Sequence, residues 1–558
     1  MIINHNLTSL SALNITSATD AMLQKSIQPL ASGLRVKTAA DDASGLAISE
    51  RMRSQIQGYD MAVNNAQDGL SMLRTAEGAL GDTNDLLHRM RELSVQGAND
   101  TLTLQDRVHI QEELDGIKEA INHVARYTNF NKKKLLDGTS GALWSASDEG
   151  LKVRVRGGLV SFNDMNEAEN HEGNYKITVR AEPGKAQVQE TSIMDAAEMK
   201  TAVTQVFDED GDLEEETKQT VQRMKTLAEI GQFYTSEGAF IVEEPQNITL
   251  IQGDGKTAGV MLYSYDTLQD TSDKINDAIA NGLGQAKYTD NADNFSTLSF
   301  GASRPVYDDD GNITGYDMTA SIIVRSAVQG RDGEIYFAGN DDIVSALGLS
   351  ETQRGYDGIF DVSISDAHTE EELITGMKIT GNELRGIIHP NVDVEFSGMA
   401  GIAAHWDGEN YVLNASGDYS ATVHLTDNGI IFQVGTNQDE NFAVNFGNVA
   451  AETLGVDRVN VMTHELAERS ITYIDEAIDS VVKQRTQIVS YENSLEHNLA
   501  NMASSGQNLE QSRSRITDAD YAKSTMRYIE FQILSNAEHV MLAQANQQPE
   551  AVFSLMGD

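Results

Sequence analysis

Residues 33–52 read GLRVKTAADDASGLAISERM: two glycines, a serine, two adjacent aspartates and a basic pair, set between segments of helical pattern. Nothing in the stretch has the histidine or cysteine spacing of a metal or catalytic site, so the break calls for an architectural reason. On its C-terminal side an apolar register runs from Met52 through Ile56, Tyr59, Val63, Ala66, Leu70 and Leu73, and resumes at Leu80 and Leu87. Near the other end of the chain, Ile471, Ile474, Ile478, Val481, Ile488, Leu495, Leu499, Met502, Leu509 and Ile516 share one alternating three-and-four seam, interrupted by Arg485, Glu492, Gly506 and Arg513. A spacing of 3.5 held this long specifies a coiled coil or long bundle helix. Such stripes are core, and each needs the other to be buried.

A third helical piece, 100–129, places Val108, Leu114, Ile117, Ile121 and Val124 at helical spacing and ends at Asn-Phe-Asn. The predicted bundle thus has three long helices, two from the front of the chain and one from the back. Between the ends the pattern changes. YKITVRA, SIIVRSAV, FDVSISD, VDVEFSG and YSATVHL alternate with period two, and Asp254-Gly255, Asp310-Gly311 and Asn428-Gly429 mark turns. Helix is expected within this region at about 193–232 and 266–282. The fold class is therefore α+β: a helical coiled-coil rod built from both chain ends, with a mostly β, two-lobed insert over 141–430.

Charge divides the chain at the same places. The 558 residues carry a formal charge of −44. Residues 141–430 hold 50 acidic and 19 basic residues, a net −31, which leaves −13 for the two ends. So acidic a surface excludes a nucleic-acid binder, and 40% hydrophobic residues exclude a disordered polyanion. The absence of cysteine removes disulfides and thiolate metal sites. No basic and apolar leader opens the chain and no apolar run of about 18 residues occurs, so neither an ordinary secretory signal nor a membrane span is expected.

Several stretches resemble the bacterial flagellins, the building blocks of flagellar filaments. At the front they are SGLRVKTAADDASGLAISERMRSQIQG (32–58), NNAQDGLSMLRTAEGAL (64–80), MRELSVQGANDTLT (90–103) and TNFNKKKLLDG (128–138). At the back they are FQVGTNQDENFAVNFG (432–447), SRITDADYAKS (514–524) and LAQANQQPEAVFSLM (542–556). Segment 267–349 resembles a small module inserted in flagellins and filament-cap proteins. The resemblance implies a structural subunit that self-assembles into a helical filament for motility, without catalysis or a cofactor. It implies inner terminal helices at 1–40 and 517–558, a connecting spoke at about 33–50, and outer helices with a short hairpin at 41–140 and 431–516. The insert, 141–430, would face outward.

Within that frame Gly33 and Gly45 relax the backbone, Asp41 or Asp42 caps the outer helix, and Arg35 and Lys37 meet carboxylates of neighbouring subunits. The stripes Leu23, Ile27, Leu30 and Leu34, and Met526, Ile529, Ile533 and Val540, have no other core nearby; they are expected to mate and to order when subunits stack. The family's Toll-like receptor surface aligns with Arg89, Leu93 and Glu113. Further implied partners are the export apparatus, an export chaperone on the C-terminal helix, and the filament cap and junction proteins. The implied location is the extracellular flagellum, or a filament in the periplasm. Alternatives are a hook–filament junction adaptor and a filament subunit whose insert is an adhesin. A zinc-protease reading fails at THELAERS (463–470), where Glu468 stands in place of a second histidine. The segments DEDGDLEEE (208–216) and DDDGNITG (308–315) read as hairpin turns rather than calcium loops, because glycine precedes the third ligand position.

Overall fold

The structure, a computed structural model, describes residues 6–148, 150–162, 168–207, 213–307 and 313–556. The longer helices are α1 (Leu7–Ser32), α2 (Ala43–Gly97), α3 (Leu104–Tyr127), α4 (Leu268–Asp277), α5 (Asp341–Leu347), α6 (Ala451–Leu454), α7 (His464–Thr517) and α8 (Tyr521–Met556). The chain divides into two compact units. One comprises Met1–Ser71, Ile431–Phe442 and Glu492–Asp558, and the other Met72–Ile430 and Ala443–Tyr491.

In the first unit α1 and α8 run antiparallel, tied by Asn6 Nδ2 to Ala545 O (2.9 Å), Ser9 Oγ to Asn546 Oδ1 (2.5 Å), Thr19 Oγ1 to Glu538 Oε1 (2.8 Å) and Ser535 Oγ to Asp20 Oδ1 (2.9 Å). The seam is polar and small: Thr16, Thr19 and Ser535 are its buried residues. The expected mating of apolar stripes does not occur. Leu23 and Leu30 are half-buried, whereas Ile27, Met526, Ile529, Ile533 and Val540 are exposed. Helical geometry explains it, since Ile533 and Ser535 lie about 200° apart around the axis. With Ser535 against α1, the apolar line faces out.

The break at 33–52 is shorter than expected. Gly33 ends α1 in the left-handed region, φ 72°, and donates its N–H to Pro29 O at 2.9 Å. The irregular chain then covers 33–42 only, because α2 starts at Ala43. It is held against the turn between α7 and α8: Arg35 N and Val36 N donate to Thr517 O (2.7 and 3.3 Å), and Ala519 N donates to Gly33 O (2.9 Å). Val36 is buried there.

In the second unit the later part of α2, α3 and the first part of α7 form the expected bundle. Leu73, Leu80, Leu87, Met90 and Leu93 from α2, Leu114 and Ile121 from α3, and Ile474 and Val481 from α7 are buried. A capping box between Thr103 and Asp106 opens α3. After α3 a tight hairpin pairs Asn129–Phe130 with Lys133–Lys134, its turn residues Asn131 and Lys132 at φ 48° and 68°.

The strands between Ala142 and Asp427 build two hydrophobic cores. One gathers Phe233, Ile248, Leu250, Phe295 and Ile322 beneath a six-stranded and a three-stranded sheet, with α4 and α5 packed in. The other gathers Ile177, Val179, Phe360, Phe396, Val423 and Leu425, with Phe360 and Phe396 edge-on at 5.0 Å. Its five strands follow the order Glu372–Thr380, Ile359–Asp366, Gly173–Glu182, Tyr419–Asp427, Ala142–Ala146. Entry and exit of this region are tied together by Asn428 N to Gly141 O (2.8 Å) and Asn428 Nδ2 to Thr139 O (2.6 Å).

The expected helix at 266–282 is present as α4 and a π turn over Ala278–Gly282. The helix expected at 193–232 is not. Met194–Phe207 and Leu213–Met224 are paired strands, and Met194–Phe207 also pairs with Ile313–Gln329. Alanine, methionine and glutamate favour helix locally, but Met194 and Ala196 are buried in the first core and the ladder satisfies the backbone. Asp254-Gly255 turns between paired strands as expected. Asp310-Gly311 and most of the two acidic segments lie outside the described residues.

Candidate assembly and recognition surfaces

Each acidic residue of the 33–42 loop has a separate task. Asp42 is the N-cap of α2: its Oδ1 accepts from Gly45 N (2.9 Å) and Ser44 Oγ (2.8 Å). Asp41 closes the preceding turn, its Oδ2 accepting from Thr38 N (2.9 Å), Thr38 Oγ1 (2.9 Å) and Lys37 N (3.2 Å). These donors hold both carboxyls below the usual carboxylate range, the Thr38 N–H leading for Asp41 and the Gly45 N–H for Asp42. Gly45 is helical, so its role is space rather than backbone freedom. A Cβ there would sit 2.4 Å from Asp42 Oδ2. Arg35 donates to the carbonyl of Ile516, and Lys37 is exposed.

The terminal helices present two unlike surfaces. Their shared seam is hydrogen-bonded within the chain, while the outer line of Ile27, Met526, Ile529, Ile533 and Val540 meets solvent at 43–68% exposure. Exposed apolar side chains in such number are the kind of surface that proteins bury against a partner. The polar seam was missed in the sequence. Its signal is the adjacent polar pair Thr19 and Asp20, facing Glu538 and Ser535.

On the bundle, Arg89 bridges to Glu113 through Nε (2.9 Å) and Nη2 (2.7 Å), and to Glu92 through Nη1 (3.2 Å). The Glu113 carboxylate strengthens the hold of Arg89 on its proton. Both residues are exposed, but Leu93 is only 2% exposed. It is a core residue of this chain and not a contact residue of its surface. His464, in the segment weighed for zinc, directs Nδ1 to Ala98 O (2.8 Å) with Nε2 3.5 Å from Glu468. Among the described residues no cluster of three histidine, aspartate or glutamate side chains is placed to hold a metal, and no helix is long and apolar enough to cross a membrane.

Comparison with known proteins matches the two helical ends separately. Residues 3–141 match the family described as the bacterial flagellin N-terminal helical region, and residues 471–556 match the bacterial flagellin C-terminal helical region. Over 155 residues the chain is 47% identical to a flagellin of Clostridium tyrobutyricum, and over 143 residues 49% identical to a flagellin of Bacillus subtilis (strain 168). It spans 41% and 46% of the length of those two relatives. It is also 27% identical to flagellin D of Vibrio cholerae, over all of this chain and 99% of that one. A crystal structure of the flagellar junction protein FlgL from Legionella pneumophila aligns with 82% of this chain and 99% of its own, at 12% identity. Its TM-score of 0.20 carries no weight.

Proposed function

We propose that the chain is a member of the bacterial flagellin family, the structural subunit that self-assembles into the helical filament of a bacterial flagellum. One observation supports this most. The α1–α8 hairpin satisfies its own polar seam yet turns an apolar line outward (Ile27 on α1; Met526, Ile529, Ile533 and Val540 on α8). Each such residue gains roughly 1.5–3 kcal/mol when fully covered. Stacked copies would cover the line repeatedly along a polymer. Residues 1–40 and 517–558 would line the filament, 41–140 and 431–516 would form the next layer, and 141–430 would project outward. The place of action is then the extracellular filament, reached through a flagellar export apparatus, with a chaperone on α8 and cap and junction proteins at the filament ends.

Recognition by a Toll-like receptor fits the exposed pair Arg89 and Glu113. Arg89→Ala should weaken activation by monomer about tenfold without loss of fold, since an exposed pair contributes little stability. Unchanged signalling would remove the pair from that surface. Leu93→Ala does not test the same idea, because truncating a buried leucine costs about 2–5 kcal/mol in the fold itself.

Assembly is tested with Met526→Gln, Ile529→Gln and Ile533→Gln combined, in sedimentation and negative-stain microscopy. The unmodified chain should form filaments, and the triple variant should stay in the supernatant with its helix content retained. Filaments of normal yield from the triple variant would overturn the assignment of assembly to this face.

A further inference from the structure

The three-stranded sheet ordered Glu383–His389, Val392–Glu395, Lys152–Val155 shows the alternation of a half-buried sheet. Val153, Val155, Leu384, Val392 and Val394 enter the second core. The residues between them, Arg154, Glu383, Arg385, Asp393 and Glu395, therefore turn to the opposite face. Between that face and α7 lies a cavity of about 470 Å³, to which α7 contributes Tyr473, Glu476, Asp479, Ser480 and Lys483. The volume is that of a small-molecule site. Most of the charge around it is settled internally. Arg154 bridges Glu383 (2.9 Å) and Glu395, and Arg385 bridges Glu383 (2.7 Å) and Glu476 (2.8 Å). Arg156 meets Asp393, and Arg458 meets Glu395. Four guanidiniums thus answer four carboxylates.

Several lining groups are left over. Ser480 is 5% exposed, and neither its Oγ nor the buried Nε of Arg154 has a hydrogen-bond partner among the described residues. Buried polar atoms of this kind are paired in folded proteins, by the chain or by something held in it. Lys483 and Asp479 form no ion pair among the described residues. Arg156 holds its proton less tightly than usual, because burial desolvates it and Arg385 and Arg154 stand near, outweighing the pull of Glu383. An occupant must therefore bring acceptor oxygens for Arg154 Nε and Ser480 Oγ, negative charge for Lys483 and Arg156, and a donor for Asp479. Hydroxyls donate and accept at once, so they can meet the settled ion pairs without breaking them. We propose that this cavity binds an acidic monosaccharide, a pyranose bearing one carboxylate or phosphate. Its anionic group lies toward Lys483 and Arg156, and its hydroxyls lie toward Asp479, Ser480 and Arg154. The site is separate from the assembling face of α1 and α8 and does not depend on it.

The test is isothermal titration calorimetry of the full unassembled chain with glucuronate, glucose 6-phosphate, glucose and inorganic phosphate. At least one acidic sugar should bind saturably with Kd below about 1 mM, and the stronger of the two tells carboxylate from phosphate. Glucose and phosphate alone should bind at least about tenfold more weakly. Lys483→Gln, at an exposed position, and Ser480→Ala should each weaken the acidic sugar about tenfold. Lys378→Gln makes the same charge change on the exposed strand Glu372–Thr380 and should leave affinity unchanged. Circular dichroism checks that the variants keep their fold. Without sugar, Ser480→Ala should be no less stable than the unmodified chain, since the hydroxyl it removes has no partner. No saturable binding of either acidic sugar overturns the site, as does full affinity in both cavity variants. Equal binding of glucose overturns the anionic contact, and equal binding of phosphate alone overturns the sugar. None of these results bears on filament formation.

Discussion

At the residue scale, Gly33 and Gly45 are fixed by different physics. Gly33 has φ 72° and nothing within 4 Å of an added Cβ, so only conformation opposes a side chain there. Gly33→Ala should cost about 1 kcal/mol in thermal or denaturant unfolding. Gly45→Ala carries a nominal gain of about 1 kcal/mol in helix propensity. The new methyl nevertheless displaces the Asp42 cap, so the midpoint should stay level or fall. A clear rise would show that the cap contributes nothing. Asp332 gives a pH test. It sits beside Glu395, Asp254, Asp357 and Arg458, accepts from Asn382 Nδ2 at 3.4 Å, and burial pushes its carboxyl from 3.8 to about 6. A carboxyl raised in the fold is neutral in both states below about pH 4, so it imposes no penalty there. Between about pH 4 and 6 the unfolded chain ionises while the folded carboxyl keeps its proton, so stability falls across that window and levels off above about 6 at a cost of about 3 kcal/mol. Asp332→Asn should therefore raise the unfolding midpoint near pH 7.5 and lose that advantage near pH 4. A pH-independent difference would contradict this account.

At the element scale, legibility follows how local the determining forces are. The seams of α2 and α7 were readable because burial repeats at the helical period over many turns, and Leu73, Leu80, Ile474 and Val481 are buried as that period requires. The connector was readable from Gly33 and Asp42, but its end was not. Gly45 and Ser44 look like loop residues, and only the Asp42 cap shows that the helix has already begun. Met194–Phe207 was misread because, besides the adjacent strand Leu213–Met224, it is held by Ile313–Gln329, more than a hundred positions away. No local propensity encodes such a ladder. The α1–α8 seam misled for a related reason: an apolar stripe reveals a surface that needs covering, but not what covers it. Within the chain the partner seam is threonine, serine and carboxylate, which leaves the stripe exposed. Leu93 shows the same limit, because alignment with a recognition residue says nothing about whether the side chain reaches solvent.

At the scale of the whole molecule, the β region and the assembling ends should be separable by deletion. Asn428 N lies 2.8 Å from Gly141 O, so a peptide bond joining Gly141 to Asn428 removes residues 142–427 with only a local shift of the two ends. The same cut removes the −31 charge of 141–430, and with it repulsion between stacked copies within a Debye length of about 8–10 Å. It also strips ion pairs from α7: Arg469 loses Glu334, and Glu476 loses Arg385 at 2.8 Å. Arg469 and Glu476 become exposed rather than buried, so the loss to the bundle should be small. Thinner filaments are therefore expected from this variant. Removing 524–558 acts in the opposite way. It takes away Ser535 and Glu538, the hydrogen-bond partners of Asp20 and Thr19, together with the outward line from Met526 to Val540. Helix α1 then lacks its partner, while Leu80, Leu87, Leu114, Ile121, Ile474 and Val481 remain as a bundle core. The truncated chain should sediment as a folded monomer under every salt condition that assembles the full chain. Filaments from the truncation, or none from the internal deletion across a range of salt, would move the assembling surface away from the chain ends.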